Sequence, residues 1–224
     1  ELAAARTRSL SVGQIAERLP GRPDLLTAAR DAPARQRTLT AVIEWSWNLL
    51  DAAERRALAR LALLADGFTL VPAEALIGGQ AADLLDALVS HSLLVVRDHG
   101  LPRFHMLVTV RDFALAQLSA SGDEAEARAA LLQWAVDLCS QIRFPVDAGD
   151  FGDASHPEAR RHDRLFQQVA DNEAVILQQL DRLLAQADGH GTDRLPADLR
   201  DDICLIGAAL MRLWSVTWSY ERIA

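Results

Sequence analysis

Apolar residues recur at helical spacing along most of the chain, and short breaks divide them into elements. A first helix is predicted from Val12 to Leu19, opened by Ser11-x-x-Gln14 at capping-box spacing and ended by Pro20-Gly21. Residues Asp31 to Ala34, with Pro33, read as a linker. From Thr38 the positions Leu39, Val42, Ile43, Leu49 and Leu50 repeat on one face, with Trp45 and Trp47 widening the buried stripe. Asp51-x-x-Glu54 is a second capping box, and Leu58, Leu61 and Ala65 give the next helix an apolar face that Gly67 ends. Pro72 to Ile77 is a short helix stopped by Gly78-Gly79, and Leu84, Leu85, Leu88 and Val89 mark a third from Ala81 to His91.

The period then changes. Leu93 to Arg97 and Arg103 to Leu107 read as strands around the turn Asp98-His99-Gly100-Leu101-Pro102, and Val110, Phe113, Ala114 and Leu118 return to helical spacing. Helices followed by a β-ribbon and a further helix are the plan of a winged helix. Beyond Ser121-Gly122 a long helix is predicted from Asp123 to Ile142, another from Glu158 to Ala187 and a last one from Asp198 onward, separated by loops at 144–157 and 188–191. Long helices with one apolar face each suit an α-solenoid. The fold class is therefore mostly α: a winged-helix domain with a small two-stranded β-ribbon, followed by an α-solenoid-like helical segment.

Charge narrows the function classes. A formal net charge of -8 opposes non-specific attraction to nucleic acid or an anionic membrane. All 23 basic residues are Arg, as in very GC-rich bacterial genomes. Cys139 and Cys204 both lie in apolar helical patterns and are expected as buried, reduced thiols of a cytoplasmic protein. No apolar run reaches the roughly 18 residues of a membrane span. Glu1 opens inside one helical pattern and Ala224 closes inside another, so the sequence reads as a segment of a larger protein.

Candidate chemistry is sparse. Without Lys there is no Gly-x-x-x-x-Gly-Lys-Ser/Thr loop to cradle phosphates, so no ATPase activity is expected of this chain, and Gly78-Gly79 reads as a helix stop. His99 and His105 lie on opposite arms of the ribbon as a surface pair. His156 and His162 stand near Asp153, Glu158 and Asp163 without ligand spacing. Asp147, Asp150 and Asp153 are three apart rather than the two of a calcium loop. Cys139 sits in a helix stripe where a raised pKa makes it inert. No catalytic, cofactor-binding or metal residue is assigned. The helix at the DNA-reading position, Ala81 to His91, carries Asp83 and Asp86 and no Arg, Asn or Gln, leaving Arg97 and Arg103 of the ribbon for phosphates. DNA binding by this segment is not expected; protein packing is.

Arg35-Gln36-Arg37-Thr38-Leu39, Ile43-x-Trp45-Ser46-x-x-Leu49-Leu50, Glu54-Arg55 and Gly67-Phe68-Thr69-Leu70 resemble STAND-class NTPase regulators, in particular actinobacterial AfsR-like and LuxR-like transcription regulators with an NB-ARC module. The likeness continues through Leu84 to Val89, Ser92-Leu93-Leu94, Thr109 to Ala114, Asp171-Asn172 and Ala208-Ala209-Leu210-x-x-Leu213-Trp214. It implies three parts: residues 1–34 closing the helical subdomain of the ATPase module, 35–121 the winged helix, and 122–224 the start of a tetratricopeptide-like region. The implied partners are the nucleotide-binding domain of the same protein and further proteins at the helical region. ATP or ADP is bound elsewhere in the full-length protein, with no cofactor here. The Met-His-Asp signature of NB-ARC proteins is replaced by Met106-Leu107-Val108, and a Glu frequent in bacterial relatives is Val108, so no ligand residue is carried over.

Overall fold

The computed structural model describes residues 32–98, 100–142, 157–188 and 196–221. The chain divides into two units, 1–49 and 50–224. The helix expected at Val12, the acidic loop with Asp147, Asp150 and Asp153, the loop at 189–191, His99 and His156 lie outside the described residues. In the first unit, helix α1 runs Ala32–Leu49. It begins earlier than expected because Pro33 falls in its first turn, where a missing N–H costs nothing. Its apolar stripe is present but open: Ile43 is buried, whereas Val42, Leu49 and Trp45, the last 66% exposed, face outward. The burial expected for Trp45 is not found, because amphipathic spacing fixes which residues share a face and not whether anything covers it.

The second unit starts with α2, Ala52–Leu61, capped as its sequence predicts. The Glu54 N–H donates to Asp51 Oδ1 and the Asp51 N–H to Glu54 Oε2, both at 2.8 Å. The helix ends at Leu61 rather than at Gly67. Leu63 and Leu64 fold into tight turns, donating to the Arg60 and Leu61 carbonyls, and both side chains are buried. Helices α3 (Leu70–Ile77) and α4 (Ala81–Ser90) follow, then antiparallel strands β1 (Val95–Asp98) and β2 (Pro102–His105), then α5 (Val108–Ser121). Val95 pairs with His105 and Asp98 with Pro102. The strands are shorter than the apolar runs suggested. Leu93 and Leu94 are drawn into the core, donating to the Leu88 carbonyl, and the Met106 N–H donates to Asp66 Oδ1.

One extended residue completes the sheet. Phe68 bridges Phe104 antiparallel, the Phe104 N–H donating to the Phe68 carbonyl at 2.8 Å, and the two rings stack 5.7 Å apart. The stretch before α3 thereby lies against β2. Gly67 enables this close approach. Its φ is +75°, and a Cβ there would lie 3.2 Å from His105 Cε1. His105 does not turn toward the other arm of the ribbon, as expected, but holds Asp66 at 2.9 Å, with Arg111 Nη2 3.9 Å from the same carboxylate.

Helix α6 (Glu124–Ser140) continues from α5 after a left-handed Gly122. Where one long helix was expected there are two, α7 (Pro157–Asp171) and α8 (Glu173–Asp188), broken at Asn172. The last helix, α9, spans Ala197–Glu221. Leu131, Ala135, Leu138 and Cys139 of α6 are buried, and a core continues through Val169, Ile176, Leu183, Ile206 and Leu210 of α7 to α9. Leu184, expected in this core, is exposed; Leu183 takes the inward position. Cys204, expected to be buried, is also exposed, one position off the inward face that Ile206 and Leu210 occupy.

Arg60 and Arg56 tie α2 to the beginning of α6. The buried Arg60 guanidinium donates to the Leu76 carbonyl at 3.1 Å and to Glu126 Oε1 at 2.5 Å, while Arg56 Nε donates to Asp123 Oδ2 at 2.8 Å. The boundary expected after Ser121 therefore falls where the second unit is cross-braced.

Two outcomes follow for the Asp66–His105 corner. Gly67→Ala is expected to lower stability by about 1–2 kcal/mol, from the positive φ and the displaced His105 ring, measured as a shift in the urea midpoint. Desolvation pushes the Asp66 carboxyl upward, but the His105 hydrogen bond, the Met106 N–H and the charges of His105 and Arg111 outweigh it and hold the group below its ordinary value. A folded pKa below the unfolded one adds stability above the unfolded value, about 3.9, and that stability is lost as pH falls through the folded pKa. The stability gap between the parent chain and Asp66→Asn is thus expected to shrink as pH falls below about 4; a gap that widens toward acid would contradict this.

Candidate functional site

In a helix-turn-helix, α3 and α4 form the pair that meets a duplex, and α4 holds the reading position. Leu85 and Leu88 of α4 face inward and are buried, and Ala81 closes the same side. Helical geometry then sends Ala82, Asp83, Asp86 and Ser90 outward, and all four are exposed. Glu74 of α3 is exposed as well. This face contains carboxylates and small side chains and no guanidinium. A phosphate backbone approaching it would meet like charge, and the group there able to pair with a base edge is the exposed amide of Gln80, at the N-cap position of α4.

The ribbon contributes a different chemistry. Arg103, expected as a phosphate contact, uses Nη1 to donate to the Gly67 carbonyl at 2.9 Å and is partly buried. Arg97 is exposed on β1. Around it the surface is apolar: Val95, Val96 and Leu101 are exposed, and Leu107 and Val108, at the entrance to α5, are 62% and 72% exposed. These last two occupy the positions where the resemblance places a His-Asp pair, and they offer methyl groups instead of polar atoms. The sequence reading found the acidic helix but not this apolar ribbon, because an apolar run marks a strand without showing which of its side chains are covered.

Other candidate groups remain apart. Cys139 is buried and desolvation lifts its thiol to about 11, which keeps it protonated and unreactive at neutral pH. Among the described residues no three His, Cys, Asp or Glu side chains converge at metal-ligand distance. Among them, too, no helix is long and apolar enough to cross a membrane.

Comparison with known proteins agrees with this architecture. Residues 50–119 match a family model described as a winged helix-turn-helix domain. The chain is 38% identical over 155 residues to the Mycobacterium tuberculosis protein named "Putative HTH-type transcriptional regulator Rv0890c", and to its Mycobacterium bovis counterpart named Mb0914c. That match covers 66% of this chain and 18% of the relative. A second M. tuberculosis relative, "Uncharacterized protein Rv0894", is 40% identical over 161 residues, covering 68% of this chain and 40% of that protein. The chain thus spans well under half the length of the curated relatives it matches. No solved structure matches it. Residues 50–119 are a winged helix-turn-helix domain, set in a chain similar to proteins named as transcriptional regulators.

Proposed function

We propose that this chain is a regulatory segment of a cytoplasmic transcription regulator, and that its winged helix works by packing against protein. The observation that carries the reading is the outward face of α4, where Asp83 and Asp86 have no cation paired with them among the described residues, beside a ribbon whose described exposed side chains are largely apolar. Affinity for duplex DNA comes largely from phosphate neutralisation, which this face opposes. Apolar side chains at a rim of mixed charge suit a protein contact. The residue pattern shared with STAND-class regulators supports a finer version: the partner is a nucleotide-binding domain elsewhere in the same polypeptide, which carries the ATP or ADP. The chain itself is then neither an enzyme nor a nucleotide binder.

A second reading is that the segment binds DNA directly. The winged helix-turn-helix match and the names of the mycobacterial relatives favour it, and Arg97 would be its first phosphate contact. A gel-shift titration with mixed-sequence duplex at low salt separates the two. Protein packing predicts no shift at micromolar chain. A shift that weakens steeply with added salt, and weakens again in Arg97→Ala, would establish the DNA reading instead.

A further inference from the structure

Thr69 stands at the N-cap position of α3 with extended backbone dihedrals, φ -98° and ψ 178°, as an N-cap residue should. Yet its hydroxyl makes no cap hydrogen bond. Instead Oγ1 donates to Asn172 Oδ1 at 2.7 Å, across 103 residues of sequence, and both residues are only 3% exposed. Asn172 is the break between α7 and α8. Its Nδ2 donates to the Gln168 carbonyl at 2.8 Å, and its own carbonyl accepts from the Val175 and Ile176 N–H groups. A single amide side chain thus ends one helix, its backbone starts the next, and its remaining acceptor is filled from the winged helix.

We propose that the Thr69–Asn172 pair is a buried polar latch that fixes the orientation of the α7–α8 joint on the helix-turn-helix. Two features support this. A buried polar pair adds little net stability over apolar residues of the same shape, yet strongly disfavours any arrangement that leaves one partner unpaired, so it specifies orientation. Among the described residues, the other side-chain polar tie between the two parts, Arg56 and Arg60 to Asp123 and Glu126, lies next to the α5–α6 connection and does not reach the joint, where Val169 and Ile176 pack without directional bonds. The inference holds whether the winged helix meets protein or DNA.

Hydrogen exchange on the 224-residue chain tests it, with the Asn172, Val175 and Ile176 amides reporting on the joint and the Phe104 amide on the winged helix. Thr69→Val leaves Asn172 Oδ1 buried and unpaired, so the joint amides should exchange roughly tenfold to a hundredfold faster while Phe104 is unchanged. Replacing both partners, Thr69→Val with Asn172→Leu, should return most of that protection, because no acceptor is then stranded. Unchanged joint protection in Thr69→Val, or an equal loss at every amide, would overturn the proposal. Thr69→Ser retains the hydroxyl and decides the matter should the valine chain fail to fold. Near-parental joint protection supports the pair; a loss of about tenfold overturns it.

Discussion

The second unit depends on where the buried guanidinium of Arg60 finds its acceptors. A charge taken out of water must be paired and hydrogen-bonded, or its burial costs several kcal/mol. Arg60 meets this through its two terminal nitrogens, which reach the last turn of α3 at the Leu76 carbonyl and the first turn of α6 at Glu126, with Asp123 nearby, while its Nε is buried without a hydrogen-bond partner among the described residues. One side chain of α2 therefore sets the positions of two other elements. Arg56 adds a second, more exposed contact to the same acidic turn. The winged helix and the helix that follows it are braced together by charge as well as by the short Gly122 connection. Asp123 at the N-cap and Glu126 in the first turn of α6 lie where negative charge also complements the helix dipole.

This bracing explains why the helix-turn-helix presents what it does. The inward faces of α2 to α5 are occupied by Leu58, Leu61, Leu85, Leu88 and Leu118, and the sheet is held by the Phe68–Phe104 stack. What remains outward is an acidic α4 and an apolar ribbon. In a domain whose architecture is shared by many DNA-binding proteins, function follows the side chains at the site and not the fold. Here the outward side chains of α4 include carboxylates and no guanidinium, while the ribbon sets the exposed Arg97 among methyl groups that water does not favour.

Much of the local structure was legible in the sequence. The Asp51–Glu54 capping box, the stops at Gly78 and Gly122 and the ribbon turn declare themselves because each rests on backbone chemistry within a few residues, whereas Gly67 lies beyond the real end of α2. Helices α2 to α6 follow from apolar periodicity. What could not be read depends on distant partners. Phe68 forms a one-residue strand only because Phe104 lies beside it. Arg103 and His105 look like surface cations until Gly67 and Asp66 are placed next to them. Asn172 breaks a helix that periodicity alone runs straight through, its amide bonded back to the Gln168 carbonyl and its oxygen filled by a threonine 103 residues earlier. Trp45, Cys204 and Leu184 show the converse: an apolar residue at helical spacing names a face, and only the packing decides whether it is covered.

The central claim is that the ribbon and the α4 face of this domain are surfaces for protein rather than for a duplex. Hydroxyl-radical footprinting of the natural full-length protein, with and without DNA, addresses it most directly, with this chain alone as the reference. The account predicts that Val95, Val96, Leu107 and Val108 are labelled readily in the isolated chain and protected in the full-length protein before any DNA is added. Equal labelling in both, with protection appearing only once DNA is bound, would contradict it.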